Sequence, residues 1–328
     1  MIVNTWQDII GHEQIKQDLQ ILVAEKKLPH ALLFAGIDGI GKKLVAKILA
    51  KTLLCNTHNL EDNCTSCRAF ANEAHPDFYY LKPDGKMVKT IKIEQIRKMQ
   101  ESISLSPYLS DKRVVIIDGA ESMNEVATNS LLKILEEPVG QVYFILLSAN
   151  KEKLLPTILS RCMKLYFAPL SANEVTAILA KTQNIDEQKA QIIAKLSGGS
   201  IKNALNLLTE EMVNLRDKAV DFLTALISAK KIWSLSEELS LLDREAVKIW
   251  ALHLQMMLRD LLVLKANNEV DDELLYNSDL RAKLQDGCEV NLLFKRLNLV
   301  DELIKKLDSN ADVKLMLQKF MLQWRNKI

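Results

Sequence analysis

Several absences shape the reading before any motif does. Among 328 residues there are only 10 Gly and 7 Pro, too few for a chain of many short strands and tight turns. No apolar run approaches the ~18–20 residues of a membrane-crossing helix. Met1 to Ile10 lacks a basic segment followed by an apolar stretch, so no secretory signal is expected and a cytoplasmic location is. Charge of one sign is also missing: 43 Lys+Arg against 42 Asp+Glu leaves +1. That balance argues against a chain that grips nucleic acid mainly by itself. Neither a repeat of fixed period nor a low-complexity stretch is present. Five cysteines, three of them close together, suit a metal site better than a disulfide framework. What remains is 48% hydrophobic and 26% charged, which excludes wholesale disorder, and the length is enough for two or three domains.

The pattern of apolar residues divides the chain. Short buried runs at 31–35, 78–81, 114–117, 143–147 and 163–167 read as strands. Helical spacing follows at Lys42 to Leu54, at Ile93 to Leu105 with Ile96, Met99 and Ile103 on one face, and at Met123 to Leu135. A polar, cysteine-containing insertion covers about 55–75. Strands alternating with helices imply a parallel sheet covered on both faces. After Pro169 the strand signal fades. Ser171 and Glu174 have capping-box spacing and open a helix to about Lys181, with others at 186–196 and from Ile201. Helices are expected near 211–229, 235–241, 244–266, 290–307 and 311–326. Leu293, Leu297, Val300, Ile304 and Leu307 recur at helical spacing as a bundle core. The predicted organisation is an α/β core over 1–167, a three-helix lid over 168–208 and an all-α domain over 209–328.

Gly36-Ile37-Asp38-Gly39-Ile40-Gly41-Lys42-Lys43 lies between a strand and a helix, as a P-loop must. Gly36, Gly39 and Gly41 let backbone N–H groups curl around phosphate oxygens, and Lys42 can reach the outer phosphates. The match to GxxxxGK[ST] fails only at its last position. A hydroxyl there ligates Mg²⁺, whereas the ammonium of Lys43 has donors only and repels the ion. Val114 to Asp118 resembles a Walker B strand with Asp118 at its carboxyl edge, the place for a Mg²⁺-water ligand or, equally, for a structural carboxylate. The next position, where a Glu would orient an attacking water, is Gly119, and Glu121 lies further on. Two separate chemical parts are missing, which points to a retired hydrolytic site. Arg161, in Ser160-Arg161-Cys162, is the candidate arginine finger, against the plainer reading of a surface ion-pair residue.

The succession of Gly36 to Lys42, His75-Pro76-Asp77, Val114 to Asp118, Leu135-Glu136-Glu137-Pro138, Ser160-Arg161-Cys162 and Gly199-Ser200-Ile201-Lys202 closely resembles the bacterial clamp-loader subunits. These are AAA+ proteins of the replicative DNA polymerase III holoenzyme. The likeness covers about residues 4–208, and the helical remainder resembles the family's collar domain more loosely. It implies a P-loop AAA+ core with a parallel sheet, a helical lid and an all-α C-terminal collar. It also implies that Arg161 acts in trans on ATP and Mg²⁺ held by a neighbouring subunit. The gamma/tau-like motor subunits keep the Walker A Thr and the Asp-Glu pair. This chain has neither, and so resembles the members whose own site is degenerate. Implied partners are those motor subunits and a delta-like subunit, with the sliding clamp and primed DNA reached through the complex. At the sensor-2 position the family usually carries Arg. Here it is Lys202, which keeps the charge but loses the bidentate fork, or is simply a solvated helix residue. The competing expectation is an active AAA+ ATPase in which Glu121 substitutes for the missing glutamate.

Cys64-Thr65-Ser66-Cys67 has the spacing of a metal knuckle, with Cys55 nine residues earlier. Thiolates suit Zn²⁺, but a closed structural site needs four ligands. The resembled family has four cysteines here; only three are present. Counting from Cys55 puts Phe70 at the fourth place. Counting back from His75 puts Glu61 there, with His58 or Asp62 nearby. Zinc held by Cys55, Cys64 and Cys67 with His58 or Glu61, and a decayed knuckle of free thiols, both stay open. Cys162 and Cys288 read as buried cysteines. Lys89, Lys92, Arg97, Lys98, Lys151 and Lys153 read as solvated faces or as phosphate contacts to DNA.

Overall fold

The computed structural model describes residues 5–57, 60, 64–85, 90–137, 140–183, 185, 187–224, 229–266, 289–307 and 312–325. Two compact units are present, Met1–Asn203 and Ala204–Ile328.

The first unit is built on a parallel sheet. β1 (Ala31–Ala35), β2 (Phe78–Leu81), β3 (Arg113–Asp118), β4 (Val142–Ser148) and β5 (Met163–Tyr166) lie in the order β2-β3-β4-β1-β5. The central strands are apolar throughout because both faces are covered. Leu33, Val115, Ile117, Phe144 and Leu146 face one layer of helices, while Leu32, Phe34, Val114, Ile116 and Ile145 face the other. The first layer is α4 (Ile93–Ile103), α5 (Glu125–Glu136) and α6 (Pro156–Arg161). The second is α1 (Glu13–Ala24) and α2 (Lys42–Leu54), with α3 (Thr65–Ala71) after α2. Three further helices follow: α7 (Ala172–Gln183), α8 (Glu187–Leu196) and α9 (Ile201–Leu207), the last crossing into the second unit. Ser171 and Glu174 close the expected capping box on α7: the Ser171 N–H donates to Glu174 Oε2 at 2.7 Å and the Glu174 N–H to Ser171 Oγ at 3.3 Å.

The second unit is all helix among its described residues: α10 (Glu210–Thr224), α11 (Ala229–Ser240), α12 (Arg244–Ala266), α13 (Val290–Leu307) and α14 (Val313–Arg325). α12 packs against α10 and α13, and α14 against α11 and α13. An aromatic knot of Phe222, Trp250, Phe320 and Trp324 sits at the centre, with ring centroids 4.9–6.0 Å apart. Among the described residues no helix is long and apolar enough to cross a membrane.

The elements depart from the sequence expectation in particular ways. α4 stops at Ile103, so Leu105 lies beyond it, 69% exposed. α5 begins at Glu125 because Asn124 is its N-cap, accepting from the Ala127 N–H. α10 is described to Thr224, with 225–228 outside the described residues, and α11 is helical from Ala229, ahead of the expected 235. In α13, Leu297 and Ile304 are only partly buried, while Arg296 is buried with its guanidinium over the Trp324 ring. A cation–π contact thus occupies a place that the leucine stripe leaves to an apolar residue. Cys288, His58, Glu61, Asp62 and Lys89 lie outside the described residues.

Candidate functional site

Residues 36–43 join the carboxyl end of β1 to the first turn of α2, where the sheet positions a phosphate loop. Lys42 is buried and donates to the carbonyls of Gly36 and Ile37, both at 2.6 Å, and burial depresses its ammonium pKa. The start of α9 presses on the loop: the Ile201 N–H donates to Gly39 O at 2.9 Å and Ser200 Oγ to Asp38 O at 2.8 Å. Gly39 is required there, because at φ +78° a Cβ would stand 2.5 Å from Lys202 Cβ and Ser200 Oγ. Lys202 Nζ pairs with Asp38 Oδ2 at 2.6 Å, and that hydrogen bond holds the Asp38 carboxyl below its ordinary range. From the other side, a ring nitrogen of His12 meets Ile40 O at 2.7 Å.

Across the loop, Asp118 ends β3. Its Oδ2 accepts a short hydrogen bond from the Tyr80 hydroxyl and faces Lys43 Nζ at 3.6 Å. The same ammonium lies 4.6 Å from the centroid of the Tyr80 ring. Magnesium with its nucleotide does not fit this arrangement. The hydroxyl that would ligate it is absent, and Asp118 Oδ2 accepts the Tyr80 hydroxyl with the Lys43 ammonium beside it. Gly119 has φ +74°, and a Cβ there would stand 3.1 Å from Pro83 Cγ, so a glutamate at that position is strained as well as missing. Glu121 Oε1 accepts the Ala149 N–H at 3.0 Å, and its Oε2 is sealed from solvent without a partner among the described residues.

Arg161 stands apart from this cluster. It ends α6, immediately before β5, whose Met163 pairs in register with Leu32 near the start of β1. The 36–43 loop follows the other end of β1. Five residues of strand, about 16 Å at 3.3 Å per residue, separate the two edges. The guanidinium is at the surface, donating to Thr157 O at 3.0 Å and in close contact with Glu136 at the end of α5.

Cys55, Cys64 and Cys67 come together with their sulfurs all within 4.8 Å of one another. Cys55 closes α2 and Cys64 caps α3, accepting the Cys67 N–H at 3.4 Å. Burial pushes the Cys64 thiol up, but the Cys67 and Asn56 N–H groups and the neighbouring thiols more than offset it and bring it to about 7. Burial and the same neighbours push Cys67 up to about 12. Three sulfurs at this separation suit zinc, whose tetrahedral thiolate ligands stand about 3.8 Å apart at a Zn–S distance of about 2.3 Å. Bound there, the ion supplies a cross-link between the end of α2 and the start of α3. Phe70 is no fourth ligand: it packs on Phe78, centroids 4.7 Å apart.

Residues 36–43, Asp118 and Lys202 are therefore drawn together, and Arg161 is not. Sequence reasoning missed Tyr80 and Asp38. Only Asp38 carried a signal, a charged side chain inside a glycine-rich loop. Lys92, Arg97, Lys98, Lys151 and Lys153 are exposed.

A family model described as DNA polymerase III, delta subunit, matches residues 11–171. The DNA polymerase III subunit delta' of Bacillus subtilis (strain 168) is 29% identical over 310 residues, which is 92% of each chain. The delta' subunit of Pseudomonas aeruginosa is 33% identical over 202 residues, 60% of this chain and 61% of the relative. The gamma subunit of Buchnera aphidicola subsp. Baizongia pistaciae is 32% identical over 216 residues, 64% of this chain and 58% of the relative. The chain thus spans most of the Bacillus relative and less than two thirds of the other two.

Proposed function

The chain belongs to the clamp-loader AAA+ family of DNA polymerase III as a delta' subunit, and we propose that in such a loader it hydrolyses no ATP of its own but lends Arg161 to ATP held by a neighbouring motor subunit. The observation that carries this reading is the separation of the guanidinium from the chain's own phosphate loop. A side chain at the amino edge of the sheet cannot fold back to the carboxyl edge of β1, yet it is at the surface and free to meet another subunit's phosphates. To do so Arg161 exchanges the Glu136 carboxylate oxygen for a phosphoryl oxygen, one charge-assisted hydrogen bond for another.

The loop supports the same reading from the opposite direction. Lys43 and Gly119 remove metal ligation and water orientation. Glu121, with one oxygen on Ala149 and the other enclosed, is poorly placed to restore them. In this reading residues 168–208 form the lid and 209–328 the collar through which the chain joins gamma/tau-like motors and a delta-like subunit. Together they open a sliding clamp and set it on primed DNA. Any contact of Lys92, Arg97 or Lys98 with DNA is to phosphates and independent of sequence.

The test is Arg161→Ala in a loader reconstituted with its motor and delta-like subunits. Loss of a finger slows the site it serves by ~10³ or more, so DNA-stimulated ATPase falls by that site's share and clamp loading fails. Unchanged turnover and loading refute the trans role.

A further inference from the structure

The disagreement between the loop and magnesium goes further than loss of a ligand. We propose that the ε-ammonium of Lys43 is a tethered replacement for the divalent ion at Asp118, holding the phosphate loop in a state that no longer responds to magnesium. The inference rests on the reading of residues 36–43 as a phosphate loop out of use for hydrolysis.

Three observations converge on it. Lys43 is the second residue of α2, the place from which a hydroxyl would reach the metal, so its longer side chain starts from a metal ligand's position. Its Nζ ends 3.6 Å from Asp118 Oδ2 and 4.6 Å from the Tyr80 ring centroid, so a carboxylate and an aromatic face both favour a cation at that point. The Tyr80 hydroxyl donates to the same Oδ2, which presents Asp118 with an O–H and an ammonium in place of a metal-bound water. Mg²⁺ needs near-octahedral oxygen ligands at about 2.0–2.1 Å. To take that oxygen, it must displace the Tyr80 hydroxyl while standing beside two ammonium groups, Lys42 and Lys43.

Lys43 and Asp118 are half-exposed and one-third exposed, at 50% and 34%, so their attraction contributes little to stability. The effect of the pair is on what occupies the position. That makes the response to magnesium, rather than the melting point itself, the informative quantity.

The experiment follows the thermal midpoint of the full chain with ATP, in MgCl₂ and then in EDTA, for the parental protein, Lys43→Thr and Lys43→Ser. The parental midpoint is expected to be the same in both. Each variant supplies the missing hydroxyl and takes the ammonium away from Asp118, leaving the Tyr80 hydroxyl as the group a metal-bound water must displace there. ATP should then bind at least about tenfold more tightly with magnesium, raising the midpoint in MgCl₂ only. Either of two results overturns the proposal: a parental midpoint that climbs with magnesium, or hydroxyl variants, shown folded by circular dichroism, that ignore it. Both readouts come from the isolated chain, so failure here leaves the Arg161 experiment in the loader to judge the wider reading separately.

Discussion

The two compact units bury polar groups in different ways. In the α/β unit, Asp77 is fully enclosed, yet its carboxylate accepts the N–H groups of Tyr108, Leu109 and Ser110 at 2.8, 2.7 and 2.9 Å. Arg113, also buried, donates to Ser102 O and Ser106 O and faces Asp77 at 3.6 Å. His75 accepts the Asp77 N–H through Nδ1, so its Nε2 carries the proton and donates to Ser66 Oγ at 2.9 Å. In the helical unit, His253 is 4% exposed with neither ring nitrogen hydrogen-bonded among the described residues, and the indole N–H groups of Trp250 and Trp324 are likewise without partners there. Buried polarity in the first unit fixes loops at the sheet edges. In the second, the His253 ring and the Trp250 and Trp324 indole N–H groups are enclosed in apolar packing. The deepest charges of the first unit are pinned by hydrogen bonds that span the sequence, whereas His253 and two indoles of the second are held by packing.

The largest effect that could break this contrast is at Asp77. Asp77→Ala leaves three loop N–H groups and Arg113 without their acceptor, and chemical denaturation should show a loss of about 3–5 kcal/mol. Asp77→Asn keeps one carbonyl oxygen and should lose about half of that. If both variants cost less than about 1 kcal/mol, the 104–110 loop is not held as described.

His253 tests the other side. Burial first, then the nearby Arg216 guanidinium, pushes its imidazole down to about 4 from an ordinary 6.5. The folded chain therefore binds fewer protons than the unfolded one. The stability conferred by a neutral His253 is fully present above pH 6.5, declines as pH falls below it, and is gone once pH passes about 4. A depression of this size corresponds to roughly 3 kcal/mol. Three of the four tryptophans, Trp233, Trp250 and Trp324, lie in the helical unit, so fluorescence-detected unfolding reports on it. His253→Leu should remove nearly one proton of uptake on unfolding between about pH 4.5 and about pH 6, inside the interval bounded by the two values. An unchanged pH slope means the ring is solvated after all.

The same contrast explains what could be read from sequence. Strands 31–35, 114–117 and 143–147 announce themselves because burial on both faces demands unbroken apolar runs, and the bundle helices because one face must pack. The departures at Lys43 and Gly119 were equally legible, since a motif fixes what each position must do. The resemblance to clamp-loader subunits rests on the succession of motifs from Gly36 to Lys202, and those two departures set the chain apart from the gamma/tau-like pattern. The Asp77 cradle was not legible: His75-Pro76-Asp77 could be matched, but its acceptor role depends on a loop 31 residues away. Tyr80 was hidden for the same reason, reading as one more apolar strand residue until β2 pairs with β3 and sets its hydroxyl on Asp118. α3 was concealed inside a polar insertion because its cap is a thiol, Cys64, rather than a hydroxyl or carboxylate.

The smallest expected effect sharpens the contrast from within the α/β unit. Lys202 and Asp38 make a short ion pair across 164 residues of sequence, but their side chains are 60% and 64% exposed. Lys202 holds the Asp38 carboxyl below its ordinary 3.8. What the pair contributes is thus present above that value and lost only as pH falls through the lower folded one, far from neutrality. Solvent screens a pair this exposed, so a double-mutant cycle of Asp38→Ala and Lys202→Ala should return a coupling below about 1 kcal/mol that vanishes in 1 M salt. Ser200 Oγ on Asp38 O and the Ile201 N–H on Gly39 O survive both substitutions, because each ends on main chain. A coupling of about 3 kcal/mol or more would mean instead that the charges, not those main-chain bonds, seat α9 on the loop. Lys202 would then be what fastens α9 to the loop rather than a residue resting on it.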